Sequence, residues 1–164
     1  MKKYGVVLAL VVVSVAVWVA SASAISSPQA FSLLAVNSQN LPAMNGFEFQ
    51  RPPQPGDQIN IGDTLYKWAG TKRGAKVGRD RGIITFMSVG QNGGTGSLNA
   101  QFYLPGGTVV VQGILHFPAN GPAKFTLPVV GGTGKYDNVR GYINFHDLGD
   151  GNQNKASVDL HLLP

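Results

Sequence analysis

Cysteine is absent from this chain, and that one absence excludes disulfide bonds, thiolate metal ligands, thiol catalysis and redox switching together. Asn-x-Ser/Thr sequons are missing too, so N-glycosylation offers no hint of a role. No Gly-x-Ser-x-Gly elbow occurs and no serine has an evident base, which leaves a serine hydrolase unsupported. Charge is scarce at 13% of residues, and past residue 20 no run is apolar enough to span a bilayer. Sustained helical periodicity is lacking throughout. The three histidines, His116, His146 and His161, show no recognisable ligand spacing, and no metal is expected.

What is present begins with a basic start, Lys2 and Lys3, followed by an apolar run from Val6 to Ala20 and the small-residue ending Ala22-Ser23-Ala24. That run falls short of the roughly 20 residues of a spanning helix and ends in an Ala-x-Ala pattern, so residues 1–24 read as a cleavable signal peptide. The expected product is secreted or periplasmic, with no membrane association after cleavage. Residues 25–164 then form a single domain, large enough for a real core. In it eleven Lys and Arg face eight carboxylates, a net charge near +3. The cations are dispersed apart from Lys72, Arg73, Lys76, Arg79 and Arg81, which fall in and after one predicted loop, with Lys72, Arg73 and Lys76 read as solvated loop residues. No broad basic face with interleaved aromatics exists, so no nucleic-acid partner is expected.

Residues 38–56, with Pro42, Pro52, Pro53 and Pro55, read as a loop or lid. Around it lie short alternating runs near 31–37, 57–68, 77–90, 96–103, 108–117, 123–130, 136–146 and 154–163, broken by glycine pairs such as Gly93-Gly94 and Gly106-Gly107. Eight strands joined by tight turns predict an all-β up-and-down sheet, and the pattern by itself leaves barrel and sandwich both open.

The hairpin Val129–Phe145 has the most particular chemistry, because Gly131, Gly132 and Gly134 suit positive-φ conformations that other residues adopt only at a cost. Alternation after this turn puts Tyr136, Asn138, Arg140, Tyr142, Asn144 and His146 on one face, opposite Val139, Gly141, Ile143 and Phe145. Polar-out alternation is the common arrangement and would place the first set in solvent. In the other arrangement Tyr136, Arg140 and Tyr142 line a cavity for a mostly apolar ligand. On the strand 77–90, Arg79 and Arg81 share a face with Ile83, and Asp80 lies opposite beside Ile84 and Phe86. For Asp80 a structural salt bridge near a rim is the expectation. The glycine run opens a strand rather than a helix and lacks a Gly-Lys-Ser/Thr ending, so it is no phosphate loop.

Val129–Phe145 resembles the strand-turn-strand signature Gly-Gly-Thr/Ser-Gly-x-Tyr/Phe followed by Arg-Gly that marks dirigent proteins and, with Tyr for Arg, plant allene oxide cyclases. Val77-Gly78-Arg79-Asp80-Arg81-Gly82 resembles the dirigent Val-Gly-Arg-x-Gln-Gly strand, and Val109–Gly113 the strand ending in Gln-Gly. Asp63 and Tyr66 resemble a dirigent strand with an Asp followed by an aromatic. The resemblance covers about the last two thirds of the chain and implies an eight-stranded antiparallel β-barrel. Its implied pocket residues are Asp63, Tyr66, Arg79, Tyr136, Arg140 and Tyr142, with Asn37 in addition.

Departures from the family pattern limit what the resemblance implies. Ala35 stands where the plant cyclases place an acid two residues before an amide, here Asn37, and a methyl group cannot serve as that acid. Gly134 and Lys135 stand where lignan-forming dirigents carry an acid. Two functions stay open. One is a barrel that binds a small apolar, oxygenated organic molecule and guides its cyclisation or isomerisation by positioning, with no cofactor and no catalytic residue named. The other is a non-enzymatic structural or interaction barrel with a filled interior. Residues alone leave the oligomeric state open, and the resemblance implies a homotrimer.

Overall fold

The computed structural model describes residues 24–37, 53–118, 123–148 and 155–164. The expected signal peptide up to Ser23, and the loop-or-lid segment from Ser38 to Pro52, lie outside the described residues.

Alternation of apolar with polar residues builds the strands β1 (Gln29–Asn37), β2 (Gln58–Ile61), β3 (Asp63–Trp68), β4 (Arg73–Gly90), β5 (Gly93–Leu104), β6 (Gly107–Pro118), β7 (Lys124–Gly134), β8 (Arg140–Asp147) and β9 (Lys155–Leu163). β2 and β3 both pair with the long β4, so they act as one stave interrupted at Gly62. Each stave pairs antiparallel with its neighbour in sequence, and β9 pairs with β1 through Leu33↔Val158 and Ala35↔Ala156. The sheet therefore closes into an eight-stranded antiparallel barrel, and closure removes the exposed edges that a chain without disulfides would otherwise have to protect.

Strand boundaries on β4, β7 and β8 differ from those predicted. β4 begins at Arg73, so Arg73 and Lys76 stand exposed on a strand and not in the loop predicted for them. β7 runs on to Gly134, paired with Gly107, and β8 starts only at Arg140. Residues 135–139 are a turn, and Tyr136 is not on the strand that carries Arg140 and Tyr142.

Leu65, Val109, Leu115, Leu127, Ile143, Val158 and Leu160 point inward from β3, β6, β7, β8 and β9, each at most 2% exposed, and fill the middle of the barrel. Burying each contributes on the order of 1.5–3 kcal/mol. At the end bearing the β4–β5 hairpin, the far end, Phe125 stacks on Phe145 at 4.4 Å between centroids and Phe86 meets Phe117 at 5.4 Å. The β6–β7 ladder stops at Val111↔Val129, next to Pro128, whose nitrogen has no hydrogen to donate. The opposite end, formed by the β3–β4, β5–β6 and β7–β8 turns, is the near end.

Candidate functional site

The near end is shaped by the turn between β7 and β8. Gly134 (φ +62°) and Asn138 (φ +59°) adopt left-handed conformations on either side of Lys135-Tyr136-Asp137. Tyr136 N–H donates to Thr133 O at 3.1 Å and Asp137 N–H to Gly134 O at 3.1 Å, which folds the chain inward. Of the three turn glycines, Gly134 alone takes positive φ. Gly132 serves a different need, since a Cβ there would collide with the carbonyl oxygens of Thr108 and Tyr136, and Gly131 has open space around it. The expectation of positive φ at all three is corrected accordingly.

This geometry inserts Tyr136 into the barrel mouth, 2% exposed, with its hydroxyl donating to Pro105 O at 3.3 Å. Burial raises the phenol above its ordinary pKa, so it is a proton donor across the neutral range. Below it the side chains thin out and leave a cavity of about 360 Å³, walled by Phe31, Leu33, Val77, Leu104, Pro105 and Tyr136, with Ser32, Lys67, Trp68 and Lys135 also in its lining. Lys67 is there because β3 alternates: Asp63, Leu65 and Lys67 share the inward face, opposite Asn37, Ala35 and Leu33 of β1.

Beyond Leu65 on that face stands a pair of acids. The amide of Asp63 donates to Asp80 Oδ1 at 2.8 Å, and Asp80 is 3% exposed. Burial, the charge of Asp63 next, pushes Asp80 up to about 8, against the pull of the Asp63 amide and Arg81. Burial likewise pushes Asp63 up to about 6, partly offset by Arg81. The Arg81 guanidinium donates to the Asp80 backbone carbonyl at 3.0 Å, not to its carboxylate. The salt bridge expected for Asp80 is thus replaced by a backbone hydrogen bond to a carboxyl that holds its proton at neutral pH.

The candidate residues from the sequence fall in three places. Asn37 ends β1, exposed, in register with Asp63. Tyr136 lines the cavity. The other four sit on the outer wall or rim: Tyr66 lies under Arg73, whose guanidinium carbon is 4.8 Å from the ring centroid, and Arg79 lies 5.0 Å over Tyr103. Arg140 is exposed and donates to Val139 O at 3.0 Å, and Tyr142, 41% exposed, stacks on His161 at 4.5 Å. Sequence reasoning missed Phe31, Lys67, Trp68 and Lys135. A usable signal existed for Lys67, a cation two residues from Leu65 on the apolar register of a strand placed in the right position.

The sequence model of the Dirigent-like protein family matches residues 25–163. No curated protein matches the chain. Among solved structures, a pyocyanin demethylase is 23% identical at a TM-score of 0.63, with 82% of this chain and 100% of that one aligned. A pterocarpan synthase dirigent protein is 19% identical at 0.58, covering 83% and 87%. A Diels-Alderase from Streptomyces koyangensis is 17% identical at 0.63, covering 83% of this chain and 63% of its own. At such identities the likeness establishes the barrel and nothing finer.

Proposed function

The chain belongs to the dirigent-like protein family, and from that premise we propose that it takes a small, largely apolar, oxygenated organic molecule into its near-end cavity and holds it folded for cyclisation or isomerisation. The observation that carries this reading is the cavity itself. Its volume of about 360 Å³ lies within the usual range of small-molecule sites, and its walls are mostly apolar with a few convergent donors. Structural neighbours described as a pterocarpan synthase dirigent protein, as a cyclase that catalyses [4 + 2] cycloaddition and as Diels-Alderases support a ring-forming role for a barrel of this shape. Rate enhancement would come from positioning, which in favourable cases lowers a barrier by about 7–11 kcal/mol, so no cofactor is invoked. Tyr136, Lys67 and Lys135, with Ser32 and Trp68, are the lining residues that carry polar side-chain groups for an oxygen of the bound molecule. Export is part of the reading, supported by Lys2, Lys3 and the Ala22-Ser23-Ala24 ending, and is checked by whether the recovered protein begins at Ile25.

Mass spectrometry of the purified protein, native and then denaturing, tests the proposal. A stoichiometric small-molecule adduct released on denaturation is the expected result and would identify the class of compound to assay for turnover. A clean protein mass, together with no saturable binding of an apolar probe to the folded barrel, would overturn it. A second reading, an interaction protein without a ligand, is favoured by the packed middle of the barrel and by the exposed apolar residues Ile83, Met87 and Ile114 on its outer wall.

A further inference from the structure

The near-end cavity is apolar within and carries charge of one sign at its edge. Phe31, Leu33, Val77 and Leu104 form the walls, and the charged side chains in its lining are Lys67 and Lys135, with no carboxylate among them. Both lysines are exposed at the residue level while their stems line the cavity, the arrangement in which a long side chain covers apolar surface and keeps its ammonium wet. Among the described residues neither ammonium has an ion-pair partner, and Lys135 Nζ stands 5.8 Å from the Tyr136 ring centroid, over the mouth. The one acid of the same turn, Asp137, is exposed and accepts from Asn138 Nδ2 at 3.3 Å, outside the lining.

Two cations converging on an apolar cavity cost their mutual repulsion and gain nothing from the walls, so the arrangement is complementary to a ligand with an apolar body and a negative end. We infer that the cavity selects an organic anion, an apolar ring system bearing a carboxylate or sulfonate, bound ring-first with the anionic group between Lys67 and Lys135. The inference rests on the cavity being a ligand site and adds the charge of the ligand. A neutral molecule of the same shape would lack the pairing at the mouth, and a cation would be repelled.

Two commercial probes with the same aromatic skeleton separate these statements: 1-anilinonaphthalene-8-sulfonate, an anion, and N-phenyl-1-naphthylamine, its neutral counterpart. Fluorescence titration at about 20 mM salt, where surface charges are little screened, is expected to give the anion about tenfold tighter binding, an advantage that shrinks at about 300 mM. In the Lys67→Met/Lys135→Met double variant that advantage should fall below about twofold with neutral-probe affinity unchanged, while Lys76→Met, a cation removed from the outer wall, should keep it. Unfolding must stay cooperative in each variant, because loosely packed proteins also bind such dyes. Val77→Phe or Leu104→Phe, which narrow the cavity, should weaken both probes. Equal affinity for the two probes, or an anion preference that survives the double variant, overturns the inference and leaves the cavity reading intact. Binding of neither probe, or binding of both that the narrowing variants do not touch, removes the cavity reading and the inference with it.

Discussion

The backbone amide of Asp63 donates to the carboxyl of Asp80 at 2.8 Å across the β3–β4 boundary, inside the barrel wall. One hydrogen bond therefore fixes the point where the β2–β3 stave is interrupted, and it does so with an acid that is 3% exposed and flanked by a second acid. Burial disfavours ionisation of both carboxyls, and the charge of Asp63 adds to the shift of Asp80, so the pair titrates near neutrality.

The pH dependence of stability follows from this pair. Both acids are pushed up, Asp63 to about 6 and Asp80 to about 8, so the folded state holds protons that the unfolded chain releases near its ordinary 3.8. Their contribution is then fully present below about pH 4 and is lost as pH rises through 6 and 8. Asp80→Asn keeps an oxygen for the Asp63 amide and removes the charge. It should be more stable than wild type by about 2 kcal/mol at pH 8.5, with a flatter profile between pH 4.5 and 8.5. Urea unfolding at several pH values checks this, and an Asp80→Asn protein less stable across the range would mean that a charged carboxylate is needed there.

Most of the barrel was legible as alternation, because a closed meander needs only local pattern and tight turns. The strand expected over 136–146 shows where that evidence fails. Tyr136, Asn138 and Arg140 continue an apparent period of two, yet the left-handed Gly134 and Asn138 turn the chain between them. Two-residue spacing cannot reveal a sign change in φ at an asparagine. Alternation places Asp80 opposite Arg79 and Arg81, but its partner depends on the register of β3 against β4, which includes irregular pairing and is not written in either strand. Lys135 enters the cavity through turn geometry alone, whereas Lys67 follows from the inward register of Leu65.

Gly141 is the position where closure through β8 and β9 is most sensitive. Its φ is +137° and a Cβ would be driven into the carbonyl oxygen of His161 on the facing strand. Gly141→Ala should cost about 3 kcal/mol or more, while Gly131→Ala, with open space and no positive φ, should stay within about 0.5 kcal/mol of wild type. Denaturant midpoints of the two variants make the comparison. Equal midpoints would show that the β8–β9 pairing relaxes around a side chain.

Tyr136 combines a packing role and a polar one that two substitutions separate. Tyr136→Phe loses the 3.3 Å bond to Pro105 O and should cost no more than about 1 kcal/mol. Tyr136→Ala leaves a hole where a 2% exposed ring had been and should cost about 3–5 kcal/mol. Thermal unfolding gives both numbers. A Tyr136→Phe protein as unstable as Tyr136→Ala would move the weight of this residue from its ring to its hydroxyl.

Arg79 decides whether the outer wall takes part in ligand binding. Its guanidinium carbon lies 5.0 Å from the Tyr103 ring centroid on the outside of β4 and β5, away from the cavity, just as Arg73 lies 4.8 Å from Tyr66. A cation–π contact at such an exposed site contributes about 0.5–1 kcal/mol, so Arg79→Ala should lower stability by that amount and leave neutral-probe affinity in the cavity unchanged. The same titration on Lys67→Met, whose side chain lines the cavity, should lower anionic-probe affinity with little change in stability. If Arg79→Ala instead weakened neutral-probe binding while the barrel kept its fold, the outer wall would have to reach a ligand, and the geometry of a single barrel offers no route for that. A second copy docked against β4 and β5 would then be part of the site. The oligomeric mass of the wild type and of Arg79→Ala, measured under the titration conditions, would distinguish that arrangement from a monomeric barrel with its cavity at one end.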